Sequence, residues 1–218
     1  GITLSCVSKI FQCWIRALSK VLSALVFMPE RDQILLNLPD RFKKYKDLSA
    51  IIDCSELFIE TPKDLTLQSA TWSEYKHHNT VKYLISVLPN SFINFISEPY
   101  TGRISDKALT NDCGFFDIIP SHTRIMADKG FNIQTECASN SIYLTIPPGK
   151  RGTAQMTPNE VTKTSDIAKL RILVEQVIRR MKTFRILAAE IPITLLRHTH
   201  DILKVTSALC NLKSPIMK

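Results

Sequence analysis

The sequence predicts an α/β domain in which antiparallel and parallel strands share one sheet flanked by helices, and three observations carry that expectation. Apolar residues recur at three- and four-residue steps near both ends of the chain, the signature of amphipathic helices. Short runs rich in Ile, Val, Phe and Tyr fill the middle, bounded by Gly, Pro and Asn, and read as strands. After the amino-terminal helices come strands, then helix and strand alternate, then long helices close the chain, an order that gives one sheet with both kinds of pairing.

Taken in order, residues 2–26 carry Val7, Ile10, Phe11, Trp14, Ile15, Leu18, Val21, Leu22 and Leu25 on a helical stripe that stops before Pro29. Residues 30–36 read as a short second helix ending near Pro39, and the polar run 40–46 is a connector. Strands are expected over 50–60, 81–88 and 92–97, with Pro89-Asn90 as the hairpin turn between the second and third. A short helix over 105–116, a fourth strand over 123–127 and a fifth over 141–146 follow, and Pro147-Pro148-Gly149 opens a polar loop reaching about residue 164. The long helix is expected from Ser165, with Ile167, Leu170, Val174, Val177, Met181 and Phe184 on its apolar stripe. Pro192 interrupts it, and a last amphipathic helix spans about 195–209. The expected division is a helical segment over 1–46 and the main domain over 47–218.

With 218 residues, 44% of them hydrophobic and 22% charged, the chain is long and apolar enough to bury a sizeable core. Six widely spaced cysteines without a Cys-x-x-Cys pair read as reduced intracellular thiols rather than a disulfide framework. The longest apolar stretch, 11–28, contains Arg16 and Lys20, so it is not read as a membrane span. The net charge of +8 is unevenly placed: residues 1–150 carry 16 Lys and Arg against 15 Asp and Glu, whereas residues 151–218 carry 12 against 5. A basic last third on a balanced body suits a polyanionic partner such as nucleic acid.

Three carboxylates stand out. Asp53 interrupts the apolar run of the first strand, where a buried acid is costly; alternation places it with Ile51, Ser55 and Leu57, and Glu56 on the opposite face. Asp128 follows the apolar strand Ile125-Met126-Ala127, at the carboxyl end where α/β sheets place ligands, although an Asp before Gly130 also opens turns. Glu175 lies beside the stripe of the long helix with Arg171 one turn before it and Arg179 and Lys182 after it, a pattern equally suited to surface ion pairs. Two strands and a helix can bring three such acids onto one or two divalent cations, the arrangement that hydrolyses phosphodiesters.

Several segments together resemble the Harbinger-type DDE transposases, members of the DDE superfamily endonucleases. They are Ile51-Ile52-Asp53-Cys54-Ser55-Glu56-Leu57-Phe58, then Thr71-Trp72-Ser73 with Tyr75-Lys76 and His78-Asn79-Thr80, then Ser105-Asp106-Lys107, Met126-Ala127-Asp128-Lys129-Gly130-Phe131, and Leu170-Arg171-Ile172 with Val174-Glu175 and Ile178-Arg179-Arg180. The resemblance runs over nearly the whole chain and implies an RNase H-like fold, with Asp53, Asp128 and Glu175 as the catalytic, metal-binding acids. It implies Mg²⁺ as cofactor, with Mn²⁺ able to substitute, hydrolysis of a DNA phosphodiester, and attack of the freed 3′-hydroxyl on target DNA. Residues 1–11 resemble the end of the helix-turn-helix that precedes the nuclease in that family, so the chain reads as a fragment. The expected setting is the nucleus, the expected partner is DNA, and a separate DNA-binding protein and a homodimer are further partners. Ser121-His122 departs from the Gly-Asp usual there, and 132–141 is short. The rival reading is a domesticated, catalytically weak or inactive module that binds DNA or protein on the same scaffold.

Arg171, Arg179, Arg180 and Lys182 are the cations expected against DNA phosphates, with Lys76 and His78 near the site. Asp106 is expected chiefly in the first turn of a helix capped by Ser105. His77-His78 and His198-x-His200 lack further ligands at zinc spacing.

Overall fold

The structure, a computed structural model, describes residues 1–128, 130–147 and 158–216, with side chains in 158–169 described only at Ile167. Thr3 caps α1 (Leu4–Leu22) by accepting the Cys6 N–H, and α2 (Arg31–Leu36) follows. The stripe read from the sequence is only partly used. Ile15 is buried, with Phe11 and Leu22 packed against the same core, while Val7, Ile10, Trp14 and Val21 are exposed. The helix lies on the last helix of the chain, α9 (Thr199–Asn211), and no described helix is long and apolar enough to cross a membrane.

β1 (Leu48–Phe58) is the centre of the sheet. It pairs antiparallel with β3 (His78–Val87) and parallel with β6 (Arg124–Met126), which pairs in turn with β7 (Tyr143–Thr145). On its far side β3 carries β4 (Ile93–Ile96) across the Pro89-Asn90 turn, and also two short partners, β2 (Trp72–Ser73) and β5 (Tyr100–Thr101). The expected mixed sheet is therefore present, antiparallel on one side of β1 and parallel on the other.

Alternation along β1 feeds two cores. Ile51 and Leu57 pack with Leu173, Val174 and Val177 of α7 (Pro158–Met181) and with Ile202 and Leu203 of α9. Ala50 and Ile52 pack with Leu109 of α4 (Asp106–Asp112) and Phe115 of α5 (Phe115–Ile118). Such two-sided burial explains why the strand reads as a nearly continuous apolar run. The Asn211 side chain binds the sheet edge at β4, accepting the Ile93 N–H at 2.8 Å and donating to the Ile93 and Leu25 carbonyls.

Four departures have local causes. The single helix expected over 105–116 is two, because Gly114 adopts a left-handed φ of 75° between α4 and α5. The long helix starts at Pro158 rather than Ser165; a proline at the first helical position loses no hydrogen bond, so the expected cap falls inside the helix. α3 (Leu65–Thr71), capped by Asp64, and α6 (Gln134–Ser139) occupy segments to which the sequence pattern assigns no element. The last helix begins at Thr199, after a 3₁₀ turn over Ile193–His198 and the short α8 (Arg185–Ala188). All six cysteines are free, and residues 148–157 of the expected polar loop lie outside the described residues.

Candidate active site

The parallel pairing of β1 with β6 positions the first two acids. Ile51 stands opposite Met126, and two residues further along each chain come Asp53 and Asp128, at the carboxyl end of β6. Asp128 also closes a turn, its carbonyl accepting the Phe131 N–H at 3.1 Å while Phe131 anchors the loop in the core. Both the turn reading and the ligand reading of this position are thus compatible with one conformation.

Asp53 is mostly buried on the α7 face, where its Oδ1 accepts the backbone N–H of Cys54 at 2.9 Å. Loss of water raises its pKa to about 6; the charge of Arg171 and the Cys54 N–H work against that rise, and the charges of Asp106 and Asp128 add to it. Arg171 is the cation set among these groups. Its Nη1 lies 3.1 Å from Asp128 Oδ1, its side chain is 11% exposed against 52% for Asp128, and its buried Nε has no hydrogen-bond partner among the described residues. Glu175, one turn further along α7, is exposed. Asp53, Asp128 and Arg171 are therefore brought together, and among the described residues no three His, Cys, Asp or Glu side chains form a metal-holding group.

A second acidic network borders the first. Glu56 and Lys82 are directly opposed on β1 and β3, with Nζ 3.9 Å from Glu56 Oε1. Lys82 also donates to the Ile104 carbonyl at 2.9 Å and to Asp106 Oδ1 at 3.2 Å, while the Thr80 hydroxyl donates to Glu56 Oε2 at 2.7 Å. Ser105 caps α4 as expected, which leaves the Asp106 carboxylate turned toward Lys82 and the Cys54 thiol. Burial and the charges of Asp106 and Asp53 push that thiol far up. The cross-strand lysine is the residue that sequence reasoning missed. Its signal was the Glu56–Lys82 register, which spacing within either strand does not reveal.

These strands and helices carry a known pattern: the family model for DDE superfamily endonucleases matches residues 52–211, from β1 to the end of α9. The chain belongs to the DDE superfamily endonucleases. No curated protein matches it. Membership in the DDE endonucleases points to nuclease or transposase-like activity with DNA as the substrate, in a family that generally uses divalent metals.

The residues present fit such a metal. Asp53 and Asp128 are hard oxygen donors, and Mg²⁺ is commonly bound by one or two carboxylates together with water and substrate phosphate. A positive charge already stands against them in Arg171, so the position is one that favours a cation.

The cations of this DDE endonuclease are placed unevenly. Arg179 and Lys76 are exposed, and the Lys76 ammonium lies 4.3 Å from the Tyr75 ring centroid. Arg180 donates to the Ser214 carbonyl at 2.8 Å. Lys182 donates to the Glu56 carbonyl at 3.0 Å, and burial, followed by the charge of Lys76, lowers its pKa. His78 stands 3.1 Å from Glu190 and edge-on to Phe58. Arg171 faces the acids rather than solvent.

Proposed function

We propose that this chain is a Harbinger-type, metal-dependent DNA endonuclease domain with an RNase H-like fold, acting in the nucleus. The observation that carries the reading is the Asp53–Asp128 pair, Asp53 in the middle of β1 and Asp128 just beyond the end of the adjoining parallel β6, with a cation against Asp128. The antiparallel β4-β3-β1 half joined to the parallel β6-β7 half supports the fold assignment. Asp53 and Asp128 would hold Mg²⁺ or Mn²⁺, and Glu175 would complete the site from α7. A bound divalent cation supplies Lewis-acid stabilisation of the charge that develops on the scissile phosphate.

The chain's own residues prepare that chemistry. The pairing of β1 with β6 places the two acidic residues side by side, and the surrounding core partly desolvates Asp53. Arg179 and Lys76 offer exposed charge to the DNA backbone, and each phosphate they neutralise adds to the salt dependence of binding. A separate DNA-binding protein or a second copy would supply sequence recognition.

Cleavage of an end-labelled duplex in Mn²⁺ or Mg²⁺ tests the reading. Wild type is expected to cut, and Asp53→Asn, Asp128→Asn and Glu175→Gln are each expected to lose at least a hundredfold in rate, at about 1.4 kcal/mol of barrier per tenfold. A second reading, a domesticated module that binds DNA or protein without cutting, is favoured by the exposed Glu175. Folded wild type that retains DNA in both metals and leaves it intact would establish that module instead.

A further inference from the structure

Resting on the metal-site reading above, we propose that Arg171 is the built-in counter-ion of the Asp53–Asp128 pair and that a divalent cation enters only by displacing its guanidinium. Local spacing assigns Arg171 a different partner, since Glu175 lies one turn away on the same helix face. The structure instead directs Arg171 across to Asp128 at 3.1 Å, on the other side of the site. Asp53 stands beside Asp128, each two residues beyond the Ile51–Met126 pairing of β1 with β6, so the guanidinium is set at the pair.

Two further observations mark this as a compensating arrangement with an exchangeable partner. The Arg171 Nε is buried without a hydrogen-bond partner among the described residues, so the side chain accepts an unsatisfied donor in order to place its Nη1 on Asp128. Its partner Asp128 is half exposed, with a side chain 52% accessible, so solvent ions reach its carboxylate. A divalent cation brings twice the charge in a smaller volume and takes oxygen ligands that a guanidinium does not use. Once it binds the carboxylates, the pairing with Arg171 no longer compensates an excess of negative charge. The like charges then repel, and the side chain swings out of the site.

The experiment pairs calorimetric Mn²⁺ titration with chemical modification of the native chain. Arg171→Gln is expected to bind Mn²⁺ about tenfold more tightly than wild type, the effect of removing one competing positive charge at short range, while Arg179→Gln on the same helix stays within about twofold. In unmodified wild type, peptide mass spectrometry after phenylglyoxal treatment is expected to show Arg171 reacting several-fold faster with Mn²⁺ than without, a readout that does not depend on how the variant folds. Unchanged or reduced Arg171 reactivity in a wild type that binds Mn²⁺ would overturn the counter-ion role and leave the metal site intact. Equal or weaker Mn²⁺ binding by a folded Arg171→Gln would do the same. Absence of Mn²⁺ binding in wild type and in both variants would overturn the metal-site reading and this inference with it.

Discussion

Replacing Asp53 by Asn isolates the energetic cost of a carboxylate inside β1. Burial raises the Asp53 pKa to about 6 from its ordinary value of 3.8, so between those values the folded protein holds a proton that the unfolded chain has released. Stability contributed by this group is therefore complete below about pH 4 and is lost as pH rises through 6. The difference between the two pKa values is worth about 3 kcal/mol. Asparagine resembles the protonated acid in shape and lacks the charge. The variant should match wild type near pH 4 and exceed it by up to about 3 kcal/mol at pH 8. With a urea m-value of about 2–3 kcal/mol/M, that moves the unfolding midpoint up by roughly 1 M at pH 8. Urea titrations of both proteins at half-unit intervals from pH 4 to 8, followed by far-UV circular dichroism, measure the difference directly, because the other titrating groups are common to both. A difference that stays flat over this range, or a variant that loses ground as pH rises, would refute the reasoning.

Two further outcomes concern the supports of the site. Lys82→Met should cost about 3 kcal/mol in urea unfolding, because Glu56, 9% exposed, is left without its facing cation, and adding Glu56→Gln should recover much of that loss. Gly102→Ala should cost about 2–3 kcal/mol and lower the melting temperature by several degrees, since a Cβ there would lie 2.8 Å from the Thr71 carbonyl and 2.9 Å from that of Thr80.

What the sequence made legible follows from the range of the forces involved. Asp53 was visible because an acid inside Ile51-Ile52 and Leu57 contradicts its surroundings, and the alternation that assigned it to the Ile51 face also holds in the structure. The Pro89-Asn90 hairpin and the stripe on α7 were equally local signals, written within one or two turns of chain. The helix α6 and the short α3 were missed because too few of their residues are buried to establish a period; only Cys137 is buried in the former and Thr71 in the latter. The position of Arg171 against Asp128, and of Lys82 between Glu56 and Asp106, depends on register between separate elements. The stripe on α1 shows the converse limit: periodicity established the helix but not which of its apolar residues would find a neighbour.

The amide clamp of Asn211 on β4 gives the chain a distinctive order of synthesis and closure. The Ile93 backbone groups at that sheet edge are satisfied by a side chain 118 residues later, near the end of the last helix. During translation the strand is made early, and its edge stays open until the final helix has left the ribosome. An open edge is a template for pairing with another chain. Truncated products that stop before α9 would therefore carry an adhesive strand, and holding such nascent chains apart falls to chaperones rather than to the fold itself.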